Sequence, residues 1–190
     1  HGTLWIMFPM VGSIGDIRFA KQIVEEVKHE LQIEGHEYSE TVKLGIMVEI
    51  PSIAIMADIA ASEVDFASIG TNDLCQYLTA VDRLNPKVAK YYQSYHPAMF
   101  RLIGNVVNAF QSQKKPVGIC GALGGESLAT AVLIGLGLRK LSMNSSSIAS
   151  DKKTVSEINI RKAERMAQTV LGLSTAAQVE SFLKSEMNEK

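Results

Sequence analysis

Residues 4–11 (LWIMFPMV) form a continuous apolar run, the pattern of a β-strand covered on both faces. The spacing then changes. Between Ser13 and Glu34 the apolar positions Ile17, Ala20, Ile23, Val24, Val27 and Leu31 fall on one helical face, and Gly35 ends the run. Residues 43–49 (KLGIMVE) predict a second buried strand, with Pro51 suited to the first turn of the following helix. Residues 65–71 predict a third strand, followed by helical segments through Gln113. Residues 115–121 (KPVGICG) predict a fourth, with its helix over 126–136. Residues 140–144 (KLSMN) predict a fifth, and the remainder to Lys190 reads as two polar-faced helices.

Strands and helices that alternate with no hairpin signal make a parallel sheet. A doubly wound open sheet and a TIM barrel compete. No GxGxxG follows the first strand, which counts against a dinucleotide-binding sheet. Polar residues sit at the C-terminal strand ends: Glu49, Asn72-Asp73, Cys120-Gly121 and the stretch 142–146. Several strands contributing to one mouth is how a barrel builds its active site. About five βα units cannot close eight strands. The α/β chain is therefore read as part of a TIM (β/α)8 barrel, with residues 1–190 as one portion of a domain.

Composition narrows the function. The 190 residues are 46% hydrophobic and 21% charged, enough for a sizeable core. A formal net charge of -1, with no Lys/Arg cluster, speaks against nucleic acid as a partner. The longest nearly unbroken apolar run, 129–138 (ATAVLIGLGL), is too short to cross a bilayer and contains two glycines, so no membrane insertion is expected. Cys75 and Cys120 lack CxxC spacing and no signal-peptide pattern opens the chain, which together predict a cytoplasmic setting. His1-Gly2-Thr3, without an initiator Met, reads as the start of a fragment.

The strand-end residues carry the chemistry. Glu49 either faces the positive end of the next helix or presents hard oxygens to a metal. Asn72 and Asp73 either cap the run LCQYLTAV or join such a site. The two carboxylates Glu49 and Asp73, on adjacent strands, suit Mg²⁺ or Mn²⁺. The histidines show no ligand spacing, which argues against zinc. Arg83, in VDRLNP, is solvated or holds a phosphate or carboxylate in its planar fork. Cys120, between glycines, is a buried small hydrophobe or a thiol that exchanges a proton with a bound anion. Gly124-Gly125-Glu126 is a weak phosphate-cradle signal. His96-Pro97 marks a helix start, and Met7, Met10, Met47 and Met56 read as core filler.

The segments IMFPMV, GIMVEIPSIAIMADIAASEVDFASIGTNDLCQYLTAVDR and GICGALGG together resemble the phosphoenolpyruvate (PEP)-binding domain of the PEP-utilising enzymes. Within that family the chain is most similar to the PEP-protein phosphotransferases (the enzyme I branch). The dikinase and PEP synthase branches share the domain. The resemblance covers nearly the whole chain and implies the C-terminal part, about five βα units, of a TIM (β/α)8 barrel of the PEP/pyruvate-binding type. It implies that Glu49 and Asp73 are Mg²⁺ ligands, that Asn72 and the Asp73 backbone contact the PEP phosphate, and that Arg83 holds it. Cys120 is then the general acid that protonates the enolate carbon as pyruvate forms. The implied acceptor is a histidine on a separate domain, which passes the phosphoryl group to a phosphocarrier protein, and a homodimer is expected. The family usually reads Cys-Gly-Glu where this chain has Cys120-Gly121-Ala122. The family's earlier strands, with two further arginines, have no counterpart here, so the chain alone is expected to be inactive. A second reading, in which the chain is a dimerisation or regulatory module of a nitrogen-type phosphotransferase, stays open.

Overall fold

Four short strands, β1 (Trp5–Phe8), β2 (Lys43–Val48), β3 (Phe66–Gly70) and β4 (Val117–Cys120), pair in chain order, every pair parallel. The structure is a computed structural model and describes residues 3–188. Residues 1, 2, 189 and 190 lie outside the described residues, and with them the His1-Gly2 part of the reading of the chain's start. Helices α1 (Ile14–Ile33), α2 (Pro51–Ile55), α3 (Ala57–Glu63), α4 (Thr71–Thr79) and α5 (Pro97–Ser112) occupy the crossovers, and α6 (Ser127–Gly135), α7 (Ser145–Glu157), α8 (Ile160–Gly172) and α9 (Ala176–Asn188) follow β4. Parallel strands joined by helices in sequential order are the arrangement of part of a (β/α)8 barrel.

The period-2 alternation of the strands divides the sheet into two faces. Ile46, Val48, Ile69 and Ile119 are fully buried and share one core with Ile53, Phe100, Ile103 and Val107. Met47 and Ser68 are register partners, as are Ser68 and Gly118, and one layer further on Gly70 pairs with Cys120. Those residues lie on the opposite face. Near the N-terminal end of the strands the Phe66 ring lies over Gly45 and packs against Trp5, with centroids 4.6 Å apart.

Local signals explain most element starts. Ser13 Oγ accepts from Asp16 N, and the Asp16 carboxylate accepts from the backbone N–H groups of Ser13 and Gly12, closing a capping box on α1. These bonds, the one from Gly12 first, hold the Asp16 carboxyl below its ordinary range. Pro51 occupies the first turn of α2, as expected. His96 caps α5, its Nδ1 accepting from Ala98 N at 3.2 Å. Ser127 and Thr130 of α6 donate to Asp151 Oδ1 of α7, a buried polar tie between the two helices.

Four expectations change. β1 stops at Phe8, because the chain turns at Met10 (φ 55°), whose N–H goes to the Glu49 side chain instead of the ladder. It is an edge strand, not one covered on both faces: Trp5 and Met7 are 48% and 39% exposed. The predicted fifth strand is only an isolated parallel bridge, Ile119 to Leu141, since residues 140–142 pair on one side alone among the described residues. The predicted helix after Pro51 breaks at Met56 (ψ 24°) into α2 and α3. The C-terminal region holds three helices instead of two, because Asn159 caps a new one by accepting from Arg161 N and Lys162 N.

Candidate functional site

The C-terminal ends of β2, β3 and β4 bring Glu49, the Thr71-Asn72-Asp73 turn and Cys120 onto one rim. Gly70 makes the convergence possible. A Cβ there would lie 2.9 Å from Glu49 Oε2 and 3.0 Å from Met47 Sδ, so only glycine leaves room for both side chains. Glu49 is buried, 7% exposed, and its Oε1 accepts from Met10 N at 2.7 Å. The loop after β1 therefore supplies the N–H that holds this carboxylate. Glu49 does not cap α2, whose N-cap is Ile50.

Asn72 and Asp73 do not cap α4 either; its N-cap is Gly70, with no side-chain bond. Asn72 Oδ1 accepts from Ala122 N at 2.8 Å, and its carbonyl accepts from the Tyr92 hydroxyl at 3.2 Å. With Oδ1 engaged in this way, the Nδ2 hydrogens are the part of the amide left to meet a ligand oxygen. Thr71 Oγ1 donates to the Cys120 carbonyl at 2.8 Å. Gly121, with φ 92° and ψ -174°, lets the chain turn tightly past both residues. Burial pushes the Tyr92 hydroxyl up to about 12; Cys75 adds to the rise and the Arg83 guanidinium opposes it. The phenol is thus a neutral donor at physiological pH.

Asp73 Oδ1 pairs with Arg83 Nη2 at 3.1 Å, both side chains about one-third exposed (31% and 33%). An exposed pair of this type contributes about 0–1 kcal/mol, so separating it to receive a ligand costs little. The Cys120 thiol lies 3.6 Å from Met47 Sδ. It also lines a cleft of about 330 Å³ together with Asn72, Ala122, Ser142 and Asn144. Asn72 and Cys120 thus share one cleft, Asp73 and Arg83 form one pair, and Glu49 and Cys120 flank Gly70.

Two sequence readings do not survive. Gly124 and Gly125 do not open a phosphate cradle: they lie in a tight turn, Ala122–Gly125, and a Cβ on them would meet Ser142 O at 3.2 Å and Met143 Cβ at 3.0 Å. They serve close packing. Met7, Met10 and Met56 are exposed, so they are not core filler, and Met47 touches the thiol. Thr71, Tyr92 and Met47 escaped sequence reasoning. Thr71 stands inside GTND and could have been found there; Tyr92, in an irregular loop, gives no periodic signal.

Among the described residues no group of three or more His, Cys, Asp or Glu side chains is placed to hold a metal ion. Glu49 and Asp73, at neighbouring strand ends, are hard oxygen donors of the type Mg²⁺ takes, commonly one or two carboxylates with water and phosphate oxygens completing its shell. The gap above Gly70, which a Cβ would fill, gives Glu49 Oε2 its room.

The sequence model of the domain described as "PEP-utilising enzyme, PEP-binding domain" matches residues 1–160. The chain belongs to the PEP-utilising enzymes. Among curated relatives, the phosphoenolpyruvate-protein phosphotransferase of Priestia megaterium is 44% identical over 185 residues, covering 97% of this chain and 32% of that protein. The proteins of the same name from Geobacillus stearothermophilus and Bacillus subtilis (strain 168) are 45% and 43% identical over 184 residues, each again covering 97% of this chain and 32% of the relative. The chain thus spans about a third of the length of the curated relatives it matches (32%). Their likeness extends past residue 160 into the α8–α9 region, since the alignments take in 97% of the chain. In this PEP-utilising domain the rim of Glu49, Asn72, Asp73 and Cys120 lies at the C-terminal ends of parallel strands, where barrels of this kind place their chemistry.

Proposed function

We propose that this domain binds PEP at the rim of Glu49, Asn72, Asp73, Arg83 and Cys120, as part of a PEP-protein phosphotransferase. The observation that carries the reading is the joint placement of Asn72 and Cys120 on one cleft, beside the Asp73–Arg83 pair. The names of the relatives support it. The dikinase and synthase branches have no observation in their favour here.

In this reading Arg83 leaves Asp73 and holds the phosphate in its planar fork, with the Nδ2 donors of Asn72 on a second oxygen. Bound Mg²⁺ would supply charge neutralisation at the phosphoryl oxygens, with Glu49 and Asp73 as the residues that hold it. The bond between phosphorus and the enol oxygen breaks as the phosphoryl group passes to a histidine nitrogen on a separate domain, and from there to a phosphocarrier protein. The electron pair left on the enolate closes the carbonyl. The methylene carbon takes the proton of the Cys120 thiol, giving pyruvate and a thiolate that water reprotonates. Burial raises the pKa of the other cysteine, Cys75, and keeps it out of the chemistry.

A cytoplasmic setting fits two unpaired cysteines and the absence, among the described residues, of a helix long and apolar enough to cross a membrane. Self-association fits the open edge of β1 and the exposed Trp5, Met7 and Phe19. Sedimentation at increasing concentration is expected to show dimers or larger species; a monomer throughout would contradict this.

The functional test is PEP binding followed through the phosphorus resonance of PEP. Arg83→Lys is expected to weaken binding at least tenfold, because a point charge replaces a two-pronged contact. Glu49→Gln is expected to abolish the dependence on Mg²⁺ while leaving the fold intact. Unchanged affinity and unchanged metal dependence in these variants would refute the assignment.

A further inference from the structure

Met47 stands on β2 and Cys120 at the end of β4, two strands apart, a span of roughly 10 Å between backbones. Their sulfur atoms are nevertheless 3.6 Å apart. The bridging is possible because the strand between them contributes Gly70, where a Cβ would sit 3.0 Å from Met47 Sδ. A long unbranched side chain is needed to lean across that gap; a Val or Ile at 47 would end short of it. We propose that Met47 is the positioning residue for the Cys120 thiol, holding its S–H on the thioether until substrate occupies the cleft on the other side.

The chemistry favours a thioether for this task. Sulfur in methionine is a weak acceptor with no tendency to take the proton, so it fixes the direction of the S–H without removing the acid. Bonds of this type are weak, so rotation about the Cβ–Sγ bond releases the proton at little cost. Cys120 has the second direction available, since the same residue lines the cleft with Asn72 and Ala122. A stronger acceptor would hold the thiol turned away from the cleft, and no acceptor would leave it to rotate freely. That the proton is destined for the enolate carbon rests on the function proposed above; the positioning of the thiol by Met47 does not.

The infrared S–H stretching band reads this contact directly. The Cys120 band, isolated as the difference between the chain and Cys120→Ala, is expected below the position of an unbonded thiol. In Met47→Leu, which keeps side-chain volume and removes the acceptor, it is expected to move to higher wavenumber. Replacing methionine by selenomethionine throughout keeps an acceptor at 47 without disturbing the fold, and the band is expected to stay low. A band that is the same in Met47→Leu, or that already lies at the unbonded position in the unsubstituted and selenomethionine chains, overturns the proposal. The readout needs neither PEP nor metal. A failure here leaves the PEP-binding reading standing, and a failure of PEP binding leaves the contact standing.

Discussion

Gly135→Ala is expected to destabilise the chain by about 3 kcal/mol or more, enough to unfold much of it at ordinary temperature. The last residue of α6 crosses α8 so closely that a Cβ would lie 2.1 Å from the carbonyl oxygen of Ala163 and 2.5 Å from its carbonyl carbon. Both obstacles are backbone, so no rotamer change relieves the clash. The helices must move apart, and the buried core that Val132 and Leu133 of α6 share with Ala167 and Val170 of α8 opens with them. Gly172 is the control. It ends α8 with ordinary φ and nothing within 4 Å of a Cβ, so Gly172→Ala is expected to be neutral or stabilising by up to about 1 kcal/mol. Urea unfolding of the two variants checks this; equal midpoints would contradict the close crossing.

Gly121→Ala is expected to cost about 2–6 kcal/mol and to take the site apart in doing so. The backbone at φ 92° and ψ -174° belongs to a region that only glycine enters freely, which accounts for about 1–3 kcal/mol. A Cβ would also lie 2.5 Å from Thr71 Oγ1 and 3.0 Å from Asn72 Oδ1, adding an overpacking cost of about 1–3 kcal/mol. The relief available is displacement of Thr71 and Asn72, the residues that bond to Cys120 O and Ala122 N. The variant should therefore lose the Asn72 side-chain amide signals in their native positions as well as stability. A variant with native stability and an undisturbed Asn72 amide would show that the turn is not as tight as described.

What was legible in the sequence follows from what each residue is answerable to. β2, β3 and β4 are buried by helices packed in sequence order, so their apolar runs gave their positions to within a few residues. Ser13 and His96 announced helix starts because capping is local. β1 misled because an apolar run reads as coverage on both faces, whereas Trp5 and Met7 point to the sheet face opposite the helix-covered core and stay exposed there. Residues 140–144 misled because they meet β4 in a single bridge. Of the site, the polar strand ends were plain to see. What they contact was not: Glu49 with Met10 N, Asn72 with Tyr92, and Met47 with Cys120 join residues 39, 20 and 73 positions apart, and no periodicity encodes such meetings.

The central claim is that this rim holds PEP in a metal-dependent way, and a phosphorus NMR titration of PEP against the 190-residue chain, with and without Mg²⁺, tests it most directly. Arg83 can contribute about 1.5–3 kcal/mol as a charge-assisted contact and Asn72 about 1 kcal/mol. Their sum, about 2.5–4 kcal/mol, corresponds to a Kd of roughly 1–15 mM before the metal adds anything, since 1 mM is about 4 kcal/mol. Saturable binding is expected at the tight end of that range or below it with Mg²⁺, several-fold weaker binding without the metal, and no saturation at micromolar PEP. Binding that ignores Mg²⁺, or no saturable shift of the PEP resonance at any millimolar concentration, would contradict it.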